Sequence, residues 1–225
     1  MLALTSPGVS VDEQGLVIRG LPEARLPEAV ALLGRGMRDN PNNVAAFGTD
    51  PARRERCLRR LFAGLFAAMR HQQPLCALND GRLVGVGGVA PPGGCQPTGR
   101  ERLRIAPSIL LAGPRSARRV LRWTGAWAKR DPNEPHVHLG PLAVEPRLQG
   151  MGIGSRLLTE HCGRLDERRQ VGYLETDKPG NVVLYERFGY EVIAEAEIIG
   201  VRNWFMLRRS EQESPSLVGA SRATA

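Results

Sequence analysis

The residues best placed to do chemistry lie in Leu142-Ala-Val-Glu-Pro-Arg-Leu-Gln-Gly-Met-Gly-Ile-Gly-Ser-Arg-Leu-Leu158. A short apolar strand pattern runs to Val144, a turn carrying Pro146 follows, and alternating glycines at Gly150, Gly152 and Gly154 open an amphipathic helix. Without Cβ atoms on that side, the backbone can meet a ligand closely. The first N–H groups of the new helix have no partner within it, and the positive end of its dipole lies behind them. Such a turn binds phosphate or pyrophosphate. A Walker loop needs Lys-Ser or Lys-Thr after its last glycine, and Ser155-Arg156 stands there instead. A Rossmann fingerprint needs a third glycine where Ser155 sits, and its strand would lead straight into the turn, whereas Glu145 to Gln149 intervene. What remains is Gln149-x-x-Gly152-x-Gly154.

A second segment lies downstream. Tyr173-Leu-Glu-Thr176 reads as a buried strand, Asn181 to Gly189 as a short helix closed by a glycine C-cap, and Tyr190-Glu-Val-Ile193 as the next strand. The glycine segment together with Asn181, Tyr185 and Gly189-Tyr190 resembles the GNAT N-acetyltransferase superfamily. Leu174-Glu-Thr176, Tyr185-Glu-Arg187 and Trp204-Phe-Met206 are similar to its puromycin N-acetyltransferase-like branch. The detailed resemblance covers about residues 136–209; residues 15–90 match only in the order of their elements. It implies an α/β fold with a mixed, mostly antiparallel sheet, splayed at the coenzyme site between the strands ending at Val144 and near Thr176, and flanked by helices. It also implies acetyl transfer from acetyl-CoA to an amine. By position, Leu142, Ala143 and Val144 would pair with the pantetheine arm and stabilise the oxyanion. Gln149, Gly150, Met151, Gly152, Ile153, Gly154 and Ser155 would hold the pyrophosphate. Asn181 would contact the coenzyme, and Tyr185 would stand beside the thioester sulfur as an acid.

Acetyl transfer also needs a base for the incoming amine. Glu175 is conspicuous in an apolar strand, because an unpaired buried carboxylate is costly. It reads equally as a structural ion pair. His136 and His138 alternate onto one face of their strand and can act near neutral pH; each also reads as a hydrogen-bonded strand-end histidine. Two histidines at this spacing can ligate a metal, but no third ligand presents itself, so no metal is expected. Cys57, Cys76, Cys95 and Cys162 lack C-x-x-C spacing and read as reduced, buried thiols in a cytoplasmic protein, not as a disulfide framework or a zinc site.

The elements that would carry these residues follow from periodicity. A first strand spans Leu16 to Gly20, a helix runs from Leu26 to Met37, and Arg38 to Asn43 break it. A helix spans Pro51 to His71, and Leu75 to Leu78 and Leu83 to Val89 form a hairpin across Asn79-Asp80-Gly81. Residues 90–97 form a loop, Ser116 to Lys129 a helix with Trp123 and Trp127, and Val137 to Val144 a strand. The helix after the glycines runs to about Arg169. One domain is expected over residues 15–209, between a tail at 1–14 and a disordered, Ser-rich tail at 210–225.

At 225 residues and 42% hydrophobic, the chain can bury a good core. No stretch approaches 18 consecutive apolar residues, and no signal peptide is evident at the N-terminus. The net charge is +8, and the basic residues behind it are dispersed and almost all arginine. Its one cluster, Arg53, Arg54, Arg56, Arg59 and Arg60, shares a helix with an apolar stripe and reads as a solvated face, so no nucleic acid or membrane partner is expected. The expected partners are acetyl-CoA and a small-molecule amine, with monomer and homodimer both open. The acceptor pocket would come from the Asp39-Asn40-Pro41 turn, the 91–117 region and the final hairpin. Two other readings stand beside this one: acetylation of a protein N-terminus or lysine, and an acyl-CoA-binding sensor without turnover.

Overall fold

The computed structural model describes residues 15–210. In chain order its elements are β1 (Leu16–Gly20), α1 (Leu26–Gly36), α2 (Pro41–Phe47), α3 (Pro51–Ala68), β2 (Leu75–Asn79), β3 (Arg82–Ala90), α4 (Gly99–Leu110), α5 (Pro114–Ala128), β4 (His136–Val144), α6 (Ile153–Glu167), β5 (Val171–Thr176), α7 (Pro179–Glu186), β6 (Glu191–Ile198) and β7 (Val201–Arg208). Among the described residues the strands form one sheet in the order β1-β2-β3-β4-β5-β7-β6. Every neighbouring pair is antiparallel except β4 and β5, which run parallel. The mixed, mostly antiparallel sheet implied by the resemblance is therefore present. The β2–β3 hairpin turns on Asp80 and Gly81, both at positive φ (48° and 75°), the geometry that fits the twist of the flanking strands.

Side-chain alternation sorts the sheet into two faces. On one, Leu32, Leu33, Phe47, Leu58, Phe62, Phe66 and Trp123 from α1, α2, α3 and α5 pack against Val86, Tyr173 and Phe205. On the other, α6 and α7 cover the sheet. Ile153 and Leu157 meet Leu75, Ala77 and Val84, while Leu158 and Tyr185 meet Leu139, Leu174 and Met206. Tyr173, Tyr190 and Phe205 are fully buried, and withdrawing a side chain of that size from water contributes about 1.5–3 kcal/mol each.

Two helices were not expected. The Asn40-Pro41-Asn42-Asn43 cluster reads as a turn, yet Pro41 takes the first helical position of α2, where its missing N–H costs nothing. In the 91–117 region, Thr98 and Glu101 form a reciprocal capping box that opens α4. The helix of α3 also ends sooner, at Ala68 and not His71. The tail expected at 1–14 lies outside the described residues, as does its counterpart from 211. Ser210, assigned above to that tail, is buried.

The arginine cluster is only partly a solvated face. Arg56, Arg59 and Arg60 are exposed. Arg53 instead donates to the carbonyls of Phe47 and Ala112. Arg54 is buried, donating to the carbonyls of Arg38, Gly48 and Thr49 and to the Asp39 carboxylate. It ties the loop before α2 to the loop after it. Arg54→Ala removes the buried donor to three carbonyls and the Asp39 carboxylate and should lower the unfolding free energy by about 2–4 kcal/mol, read as a lower urea midpoint at constant m. Arg56→Ala should change it by less than about 0.5 kcal/mol. Equal effects of the two variants would contradict the structural role given to Arg54.

Candidate active site

The site grows from a fork in the sheet. β4 pairs with β5 only at His136↔Val171, Val137↔Gly172 and His138↔Tyr173. Beyond His138 the strands part, while β4 stays bonded to β3 through Leu142↔Gly87, Ala143↔Val86 and Val144↔Gly85. Pro141, inside β4, has no N–H to give a neighbour, so pairing across it is already weakened. On its β3 side the backbone comes very close; a Cβ at Gly88 would lie 2.5 Å from the Gly140 carbonyl oxygen. At the far end of β4, Gly36 of α1 packs so tightly that its own Cβ would sit 2.9 Å from both Ala143 Cβ and Val144 O. The edge of β4 that faces the fork thus has no strand beside it from Leu139 to Val144, among the described residues.

The glycine loop lies directly past that edge. Gly150 and Gly152 have φ of 82° and 80°, conformations that L side chains adopt at a penalty, and no atom lies within 4 Å of where either Cβ would stand. Gly152 is the N-cap of α6, and no side chain caps the helix. Gly154 is different. It is helical, and a Cβ there would make only an ordinary contact of 3.8 Å with Val144. Gln149 Nε2 donates to Val144 O at 3.2 Å, fastening the loop to the strand. Ile153 and Ala143 turn their side chains into the core, so only their backbone faces the open side. Met151 is exposed, and no acidic residue occupies the first turn of α6.

At the base of the fork the two sheet faces present different groups. On the α1–α5 face, His138 Nε2 lies 2.7 Å from Glu175 Oε2. The Glu175 side chain is only 3% exposed, so the carboxylate that looked costly in sequence has found its partner. A carboxylate only accepts, so Nε2 carries the proton and Nδ1 is left to exchange one. Burial pushes the His138 imidazole down, but the Glu175 charge and hydrogen bond more than reverse this and hold it above the ordinary histidine value. The Tyr173 ring packs against both histidines, with centroids 5.1 Å from His136 and 5.7 Å from His138. His136, expected beside His138 as an alternative base, turns away toward Asp131.

On the α6–α7 face stand Thr176, Asn181 and Tyr185. Asn181 Nδ2 donates to Thr176 Oγ1 at 3.2 Å, and Tyr185, one helical turn on, is buried with its ring 6.0 Å from Tyr190. Burial, with the Asp177 charge behind it, raises the Tyr185 phenol above its ordinary value. Asp177 itself accepts from the Asn42 backbone at 2.7 Å and so anchors α2 to the end of β5. That anchor was missed in sequence, where Asp177 looks like one more turn residue. Cys95 and Asp131 were missed as well. Cys95 Sγ donates to Asp131 Oδ2 at 2.9 Å, and burial and that carboxylate push the thiol up to about 12.

An imidazole titration by NMR should separate the histidines. His138 should titrate above the ordinary value, and Glu175→Gln should bring it down. His161, buried beside Tyr190, is lowered to about 4, chiefly by burial and then by Arg208 and Arg164. A His138 midpoint unmoved by Glu175→Gln would mean that the pair is not coupled.

Comparisons with known proteins agree with this layout. A family model described as "Acetyltransferase (GNAT) family" matches residues 45–190. An uncharacterized N-acetyltransferase of Escherichia coli (strain K12), YjhQ, is 35% identical over 95 residues, which is 42% of this chain and 51% of that protein. A second from the same strain, YhbS, is 34% identical over 62 residues, 28% of this chain and 35% of that one. The chain spans about half, or less, of the length of these relatives. A Corynebacterium glutamicum structure described as histone acetyltransferase HPA2 and related acetyltransferase superposes with a TM-score of 0.67 at 19% identity, over 87% of this chain and 97% of that one. Drosophila melanogaster polyamine N acetyltransferase superposes at 0.59 and 17% identity, over 86% and 99%. Ribosomal-protein-S18-alanine N-acetyltransferase from Escherichia coli does so at 0.52 and 15% identity, over 91% and 99%. At these identities the likeness concerns the fold.

Proposed function

The chain belongs to the acetyltransferase (GNAT) family, and we propose that it moves the acetyl group of acetyl-CoA to a primary amine of a small molecule, by direct attack in a ternary complex. The observation that carries this reading is the fork between β4 and β5, served from its two faces by different chemistry. His138 and Glu175 approach from the α1–α5 face, and Asn181 and Tyr185 from the α6–α7 face. An acceptor and a donor entering from opposite faces would meet at the opening without a covalent acyl-enzyme.

In this reading acetyl-CoA supplies the activated acyl group, and the chain's own groups do the rest. The first N–H groups of α6 receive the pyrophosphate, helped by the helix dipole and by space around Gly150 and Gly152. The free edge of Leu142, Ala143 and Val144 offers backbone groups to the pantetheine arm and to the carbonyl oxygen as charge develops on it. His138, oriented by Glu175, takes the amine proton at Nδ1. Tyr185 stands on the coenzyme side. A phenol raised by burial does not readily surrender its proton to a thiolate of pKa near 8.5, so Tyr185 steadies the departing sulfur with a hydrogen bond. The name of the polyamine-acetylating structural neighbour is compatible with a small amine acceptor, and that of the alanine-acetylating neighbour with a protein one.

Steady-state kinetics on a panel of primary amines tests the reading. Glu175→Gln should keep the shape of the site and lower kcat/KM by roughly 10²–10⁴-fold. Loss of the carboxylate lowers the His138 pKa, so the acidic limb of the pH profile should move to lower pH. Tyr185→Phe should lower kcat by about 10- to 100-fold, the worth of one hydrogen bond to a charged group, with little change in coenzyme affinity. Acetyl-CoA binding without turnover of any amine or peptide would point to the sensor reading. Turnover of peptide N-termini alone would replace the small amine by a protein acceptor.

A further inference from the structure

Cys95, Asp131 and His136 converge from three separate places: the loop after β3, the loop after α5 and the first residue of β4. One ligand atom from each, Sγ, a carboxylate oxygen and a ring nitrogen, lies within 4.8 Å of the others. His136 is 4% exposed, and its hydrogen bonding is incomplete. Its Nδ1 lies 2.9 Å from the Glu134 carbonyl oxygen, which can only accept, so the Nδ1 proton is committed there. That leaves Nε2 as a bare lone pair in the neutral ring. It faces Asp131 Oδ1 at 3.1 Å, a contact that an ion pair satisfies only when the ring is protonated. In the neutral ring two buried acceptors point at one another, which is unfavourable unless a proton or a metal cation stands between them.

We propose that Cys95, Asp131 and His136 form a binding site for one divalent transition-metal ion of the zinc type. The donor set is what such an ion prefers. A thiolate, an imidazole and a carboxylate suit zinc and its borderline-soft neighbours, while magnesium and calcium take oxygen. The dimensions also fit. Bonds of about 2.3 Å to sulfur and 2.0–2.1 Å to nitrogen and oxygen place tetrahedral ligand atoms roughly 3.3–3.6 Å apart. Cys95 Sγ lies 2.9 Å from Asp131 Oδ2 and His136 Nε2 lies 3.1 Å from Asp131 Oδ1, so a turn of the Asp131 carboxylate and a modest expansion of the cluster bring one oxygen into a tetrahedral set. The commitment of His136 Nδ1 to a backbone carbonyl is the outer support that metal-bound histidines use to fix their tautomer. On binding, the Cys95 thiol proton passes to solvent and the thiolate, carboxylate and neutral imidazole hold the ion. Three protein ligands leave a fourth position for water or an acceptor group. The bound ion would tie the loop after β3 to the loop after α5 and to β4, and this holds whether or not the chain transfers acetyl groups.

The test uses the untagged full chain, stripped with chelator and titrated with Zn²⁺ or Co²⁺. One equivalent should bind, and the cobalt form should show tetrahedral d–d bands with a thiolate-to-metal charge-transfer band. Cys95→Ser should remove the charge-transfer band, and His136→Gln should lower affinity at least 100-fold; Cys162→Ser, a buried cysteine elsewhere, should change neither. Metal-free melting curves report that each variant is folded, and Cys95→Ser, in a loop, serves should His136→Gln not fold. Mg²⁺ should not compete. Substoichiometric uptake by the folded wild-type chain, or uptake unaltered by Cys95→Ser, would overturn the proposal.

Discussion

Beyond His138, the backbone of β4 lies at the centre of a sheet without a strand on one side. Buried peptide groups must be paired, and an unpaired one costs about as much as a lost hydrogen bond. Everything around the fork bears on that constraint. β3 holds the strand from one side, through glycines that let the backbones approach. Gly36 of α1 closes over its end, and Gln149 satisfies the last carbonyl. What remains free is a row of backbone groups ending at the uncapped start of α6. A ligand with an amide-bearing arm and a pyrophosphate has the matching shape and polarity.

The division of the sheet into two faces then sets what each side of the fork can do. The α1–α5 face is rich in charge held by partners: Glu175 with His138, Asp177 with the start of α2, Arg54 with two loops. The α6–α7 face brings Leu139, Leu158, Leu174, Tyr185 and Tyr190 into one cluster. A proton acceptor belongs on the first side and a phenol that keeps its proton on the second. Their separation follows from the period of two along β5, where Glu175 faces one way and Leu174 and Thr176 the other.

Much of this was legible in sequence. Gly150 and Gly152 announce themselves because only glycine takes their backbone geometry cheaply, and Asp80-Gly81 because its turn is local. The pairing of Glu175 with His138 was not, because it depends on parallel register between strands 37 residues apart. Pro141 was the overlooked signal; a proline inside a central strand marks where pairing stops. α2 and α4 were hidden by proline- and glycine-rich flanks, although Pro41 and the Thr98–Glu101 box are themselves helix starts. Cys95 and Asp131 carry no local pattern at all. Only tertiary folding brings them to His136, which is why the sequence offered no third ligand to a metal.

The free edge of β4 and the start of α6 should act as one binding surface, and hydrogen exchange of backbone amides with and without acetyl-CoA tests this most directly. Added coenzyme should slow exchange in residues 139–144 and 150–155 and leave α3 unaffected. Gly152→Asp, which puts a side chain at a φ of 80° and a negative charge against the phosphates, should abolish the protection while the variant remains folded. Calorimetrically measured binding of acetyl-CoA that leaves those two segments exchanging as before, or that survives Gly152→Asp unchanged, would contradict it.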